Sequence, residues 1–252
     1  MSDAPYLCVA HVARGLFRAL DLRIDVAGQE HIPATGGGVV VMNHTGYLDF
    51  ALAALPFWRE RGRLVRFMAK QEVFTSRMTG PLMRAMHHIP VDRAAGATSF
   101  RAAVEALRAG ELVGIFPEAT ISRSFCLKEF KSGATRMARA AGVPLIPVAL
   151  WGSQRVWTKG RKPALRGVRH IPIGITIGPP LRPGRGAGPG IELVGAINQL
   201  LDVTRARYPD APDNDPWWVP AHLGGTAPTP ERAAALDAEE ELERARRRGA
   251  RG

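Results

Sequence analysis

The run Gly38-Val39-Val40-Val41-Met42 constrains this chain more than any other stretch. Four consecutive apolar residues, three of them β-branched, read as a strand buried on both faces, because a half-exposed strand would alternate apolar with polar. Polarity switches at Asn43 and His44, and a turn containing Gly46 follows. Asp49 then opens a run, 50–55, of helical composition that Pro56 is expected to stop.

A doubly covered strand needs helices above and below it, and the rest of the chain supplies them. Strand-like runs recur at 22–26, 64–70, 89–93, 112–116, 144–150 and 171–177. Helical segments are expected at 79–86, 98–109, 131–141 and 191–208; in the second, Phe100, Val104 and Leu107 share a face and Gly110 ends the helix. This alternation predicts an α/β fold, a single domain with a mostly parallel central sheet and helices on both faces. Residues 22–208 form its body. Residues 1–21 precede it as an amphipathic helix, with Tyr6, Val9, Ala10, Ala13, Leu16, Phe17 and Leu20 on one face, suited to capping a core or lying in a membrane interface. Residues 209–252 follow as a tail rich in Pro, Gly and Ala. Within it Trp217-Trp218 is expected to staple the tail to the domain, and 231–248 to form a solvated helix in which acids precede arginines.

The net charge of +11 is unevenly spread. Between Phe130 and Ile191 there are eleven Lys or Arg and no acid, while basic and acidic residues balance over the remainder. Such a segment suits an anionic partner: a membrane surface, a phosphorylated substrate or a nucleic acid. Nucleic acid fits poorly, because few aromatics interleave the arginines and no binding motif is present. The two cysteines, Cys8 and Cys126, and the seven histidines make no metal-ligand spacing, so a reduced intracellular protein without structural zinc is expected. No apolar run approaches the roughly 20 residues of a membrane span, and the N-terminus does not read as a cleavable signal.

His44 and Asp49 are the pair most suited to chemistry. Five residues apart on one helix they would point away from each other; a strand-to-helix turn can bring the carboxylate onto the imidazole, leaving the other ring nitrogen as a base. The plainer alternative is a loop histidine beside a helix-capping aspartate. In a parallel sheet ligands bind beyond the carboxyl ends of the strands. Asn43-His44, Arg93 and Pro117-Glu118 each follow a strand, which predicts that they share one cleft.

Taken together, four blocks resemble the glycerolipid acyltransferases, the 1-acyl-glycerol-3-phosphate acyltransferase family, over roughly residues 22–180. They are Asn43-His44-x4-Asp49, Ile89-Pro90-Val91-Asp92-Arg93, Phe116-Pro117-Glu118-Ala119-Thr120 and Val143-Pro144-Leu145-Ile146-Pro147-Val148, in the family's order. Lys70, in Ala-Lys-Gln-Glu, and Lys131-x-Gly133 also fall where the family has similar residues. The resemblance implies transfer of a fatty acyl group from a thioester, on coenzyme A or acyl carrier protein, to a hydroxyl of a glycerol-phosphate acceptor in phospholipid synthesis. It implies His44 as base, Asp49 as its orienter, and no cofactor or metal beyond the donor itself. Arg93, Lys70 and an arginine of the third block would meet the acceptor phosphate, and Glu118 would either accept from glycerol hydroxyls or fix its turn. Two positions depart from the pattern. Ala119 replaces a glycine, and Ile121 stands where the family carries arginine, with Arg123 two residues later. Either Arg123 substitutes through a shifted loop, or the phosphate leans on Arg93. The expected location is peripheral, on an anionic membrane surface at the cytoplasmic face. A thioesterase using the same dyad on water is the rival enzyme, and a nucleic-acid-binding protein the rival from another class.

Overall fold

The computed structural model describes residues 3–92, 96–163, 169–183, 190–210 and 216–249. Seven strands among them form one sheet: β1 (Arg23–Ala27), β2 (Gly38–Met42), β3 (Val65–Lys70), β4 (Ile89–Val91), β5 (Leu112–Ile115), β6 (Leu145–Trp151) and β7 (Pro172–Ile177). Their order is β1-β7-β6-β2-β5-β3-β4. β2 lies near the centre, parallel to β5 in the register Val39↔Val113 and to β6 in the register Val40↔Ile146. Only the β6–β7 pairing is antiparallel, so β7 and its parallel neighbour β1 run against the others.

Alternation along β2 explains why the run had to be apolar throughout. Val39 and Val41 enter a core with Val104 and Leu107 of α5 (Gly96–Arg108), Met137 of α6 (Gly133–Ala141) and Ile197 of α7 (Ile191–Ala206). Val40 and Met42 enter the opposite core, with Phe17 of α1 (Ala4–Ala19) and Leu52 and Phe57 of α2 (Asp49–Arg61). Each such buried aliphatic side chain contributes roughly 1.5–3 kcal/mol. A polar residue on either face would lie in a core.

Two expectations are corrected and a third gains a contact. Pro56 does not end α2; it sits inside the helix, which continues to Arg61 and stops at Gly62, whose φ of 64° and N–H bond to the Trp58 carbonyl make a left-handed cap. A proline removes one intrahelical bond, and the burial of Leu55, Pro56 and Phe57 outweighs that loss. The predicted apolar face of α1 divides. Tyr6, Val9, Ala10, Ala13 and Phe17 pack towards α2, and the Tyr6 hydroxyl donates to the Val65 carbonyl at 2.9 Å. Phe17 is only 3% exposed, whereas Leu16 is 49% and Val12 67% exposed. Finally, α8 (Pro230–Gly249) is exposed along most of its length, as expected of a solvated helix, but one strip of it docks on the domain. Its Asp237 accepts from Arg123 Nε (3.0 Å), Lys128 Nζ (2.8 Å) and Lys159 Nζ (2.6 Å), and its Glu240 from Arg123 Nη2 (2.8 Å). The Trp218 staple is present: this indole is buried with Trp151 and Tyr208 and lies under the Arg155 guanidinium. Two short helices, α3 (Gln71–Thr75) and α4 (Gly80–Ala85), connect β3 to β4. No helix among the described residues is long and apolar enough to cross a membrane.

Candidate active site

At the end of β2 the chain must leave the sheet, and Asn43 fixes the exit. Its side-chain amide donates to the Leu150 carbonyl at 3.0 Å and its oxygen accepts the Leu150 N–H at 2.8 Å, so the turn is tied to neighbouring β6. The turn then folds back over the start of α2. His44 Nδ1 lies 2.9 Å from Asp49 Oδ2. That oxygen also accepts the backbone N–H groups of Thr45 (2.7 Å) and Gly46 (2.8 Å), while Oδ1 accepts the hydroxyl of Ser153. Asp49 is fully buried. With every contact oriented inward, it holds Nδ1 as the protonated nitrogen and leaves Nε2 as the acceptor. The imidazole stacks on Phe116, with ring centres 4.0 Å apart and planes 20° apart. Gly46 sits in tight space: a Cβ there would meet the Trp157 and Ser153 carbonyl oxygens at about 3 Å.

Glu118 is the second buried carboxyl of the site. Its Oε1 accepts the His44 N–H at 2.9 Å and its Oε2 the Lys128 N–H at 3.1 Å, so it fixes the turn that carries His44 to the loop after β5. Burial pushes its pKa up to about 8, the Asp49 charge adds to that, and the two N–H bonds and Lys128 oppose it. The next residue, Ala119, has φ of 60°, the left-handed region where the family's glycine carries no penalty.

Beyond the ends of β3, β4 and β5 opens a cavity of about 760 Å³. Met68, Ile115, Phe116 and Met137 give it an apolar floor; among the described residues Lys70, Arg101, Lys131 and Arg136 are its charged residues and no carboxylate lines it. Phe116, stacked on His44, is shared between cavity and dyad. The structure thus brings His44, Asp49 and Glu118 together, with Lys70 on the adjoining cavity. Arg93 lies outside the described residues. Arg123 is the correction. It turns to α8, where Asp237 and Glu240 take its Nε and Nη2, and it does not line the cavity. The loop cannot shift easily, because Ile121, Ser122 and Ser124 are all buried and Ser122 N–H donates to the His44 carbonyl at 2.8 Å.

Residues 23–151 match the acyltransferase family. The chain belongs to that family. It is 32% identical over 158 residues to the 1-acyl-sn-glycerol-3-phosphate acyltransferase of Bacillus subtilis (strain 168), an alignment covering 59% of this chain and 75% of that one. Against a chloroplastic 1-acyl-sn-glycerol-3-phosphate acyltransferase of Brassica napus it is 29% identical over 161 residues, spanning 60% of this chain and 45% of the plant protein. The crystal structure of a 1-acyl-sn-glycerophosphate acyltransferase from Thermotoga maritima shares the fold, with a TM-score of 0.64, 24% identity and 80% coverage of both chains. In this acyltransferase the matched span holds His44, Asp49, Lys70, Glu118 and Arg123 but ends before Ser153, Asp237 and Glu240. Those three had no sequence signal of their own. Ser153 is a buried hydroxyl two residues past β6 that only the fold carries to Asp49.

Proposed function

We propose that this acyltransferase moves a fatty acyl group from an acyl thioester to a hydroxyl of a glycerol-phosphate acceptor, lysophosphatidate or glycerol-3-phosphate, in phospholipid synthesis. The observation that carries the reading is the His44–Asp49 dyad beside a cavity that is apolar within, cationic at its charged positions and free of lining carboxylates. An acyl chain calls for the first property and an anionic headgroup for the second. His44 Nε2 takes the proton from the acceptor hydroxyl, whose oxygen attacks the thioester carbonyl. The tetrahedral intermediate collapses by breaking the C–S bond, and the departing thiolate recovers the proton from His44. The acceptor alcohol is the nucleophile, so no acyl-enzyme is required. The same dyad acting on water would be a thioesterase, but the cations of the cavity have no part in that reaction. Names of the relatives favour lysophosphatidate as acceptor. Peripheral contact with an anionic membrane is supported by the outward Val12 and Leu16 of α1 and by the excess basic charge.

The test is steady-state transfer by purified protein from palmitoyl-CoA to lysophosphatidate and to glycerol-3-phosphate, with His44→Ala beside it. Loss of a general base lowers kcat by about 10²–10⁴-fold. Thermal unfolding should change little, since Asp49 keeps the Thr45 and Gly46 N–H groups and Ser153. Full activity in His44→Ala ends the mechanism.

A further inference from the structure

β2 lies between β5, whose end leads to the cavity, and β6, whose end leads to a second hollow. This hollow, of about 330 Å³, is lined by Trp157, Trp217, Arg155, Arg161 and Lys162, and among the described residues no carboxylate lines it. The tryptophans come from segments some sixty residues apart, joined here by the fold. Arg155 is already engaged by Asp210, Tyr208 and the Trp218 ring. The Arg161 guanidinium lies 3.9 Å from the centre of the Trp217 ring. Neither Arg161 nor Lys162 has an ion-pair partner among the described residues, and both are exposed.

The hollow is joined directly to the catalytic turn. The Trp157 carbonyl accepts the Tyr47 N–H at 3.0 Å, the two rings lie 4.6 Å apart, and the Thr158 hydroxyl donates to the Thr45 carbonyl at 2.6 Å. Residues 45–47 thus connect the wall of the hollow to the turn that carries His44. Planar indoles beside two cations that have no ion-pair partner among the described residues suit a ligand with a flat π-face and more than one negative charge. A lipid headgroup brings charge without a planar ring, and an acidic protein surface brings carboxylates that leave the indoles unused.

We propose that this hollow seats the nucleotide end of an acyl-CoA donor, the purine against the indoles and the phosphates on Arg161 and Lys162. The inference rests on the thioester reading above and selects coenzyme A over a carrier protein as the donor. The pantetheine arm then carries the thioester to His44 from the β6 flank, while the acceptor and the acyl chain use the cavity on the β5 flank.

The site is tested apart from the reaction by titrating adenosine 3′,5′-bisphosphate into the purified protein and following tryptophan fluorescence. Saturable, salt-sensitive binding is expected, weakened about tenfold in Arg161→Ala/Lys162→Ala, as for loss of charge-assisted phosphate contacts. Both residues are exposed, so that variant should fold; Trp217→Ala, which removes a ring packed near Phe125, serves only as a second reading. In turnover, the preference for palmitoyl-CoA over palmitoyl-pantetheine, which has no nucleotide, should fall by a similar factor in the double variant. Absence of bisphosphate binding, equal binding by wild type and variant, or an unchanged donor preference overturns the site, whether or not acyl transfer is found. Loss of transfer from acyl carrier protein alone, with acyl-CoA kinetics intact, also overturns it. A wild type that binds the bisphosphate but transfers no acyl group from any thioester keeps the site and removes the reaction.

Discussion

Two groups of cations flank the loop that follows β5, and they meet opposite fates. Arg123, Lys128 and Lys159 are tied to Asp237 and Glu240 of α8 at 2.6–3.0 Å. Arg101, Lys131 and Arg136 line a cavity that contains no carboxylate among the described residues. Along the chain both groups look alike: Lys131, Arg136 and Lys159 all belong to the acid-free segment. The difference is made by folding, because the acids that neutralise part of that segment arrive from Asp210, Asp237 and Glu240. Charge excess in sequence is therefore not charge excess in space. A cation paired to the protein's own carboxylate holds the fold together, and one facing a cavity without carboxylates is placed for a ligand.

The largest effect that would break this contrast lies at the cavity. Lys131→Ala/Arg136→Ala should raise KM for a phosphorylated acceptor by tenfold or more, since a hydrogen bond to a charged group is worth about 1.5–3 kcal/mol. kcat should fall less, because the phosphate is held similarly in ground and transition states. Unfolding should change only slightly, through loss of Arg136 over the Phe100 ring. An unaltered KM with a clear drop in Tm would mean these cations also serve the fold.

The reverse outcome is expected at the latch. Arg123→Ala leaves Asp237 with two lysines and Glu240 with Lys159 and Arg244, and should cost about 1–3 kcal/mol of stability, read from denaturant unfolding. Acceptor KM should move less than twofold. A large KM effect with unchanged stability would return Arg123 to the phosphate.

Sequence reasoning found the dyad because its signal is local. His44 and Asp49 sit on one turn, and a strand apolar on both faces announced where that turn begins. The strands were legible for the same reason, since each run reports its own burial. The shifted-arginine expectation failed at a non-local contact. Nothing in Ser122-Arg123-Ser124 shows that Asp237, more than a hundred residues later, will claim the guanidinium. Likewise, α8 is mostly exposed as its pattern suggests, but nothing in that pattern shows that Asp237 and Glu240 in particular will meet three cations. Pro56 misled through a local rule overridden by packing: α2 gives up one backbone bond at that residue but keeps a buried face on either side of it.

The smallest effect sharpens the latch by pH. Burial alone would raise the Asp237 carboxyl, but bonds from Lys128, Lys159 and Arg123 outweigh it and hold the pKa down at about 2, against an ordinary value of 3.8. A carboxyl whose folded pKa lies below its unfolded value binds fewer protons when folded, so unfolding takes up protons in that range. Its contribution is complete above about pH 4 and is lost as pH falls towards 2. Stability should therefore decline between those limits in the wild type, and Asp237→Asn should be less stable at neutral pH while losing part of the decline. The residue is partly solvated, and salt weakens such pairs, so the difference should shrink as ionic strength rises. Cavity variants at Lys131 and Arg136 should follow the wild-type acid curve, because among the described residues no carboxylate lines the cavity to be titrated beside them. If the acid profile of Asp237→Asn overlays the wild type at low salt, α8 is not held by these charges, and the distinction between latch and cavity fails at its base.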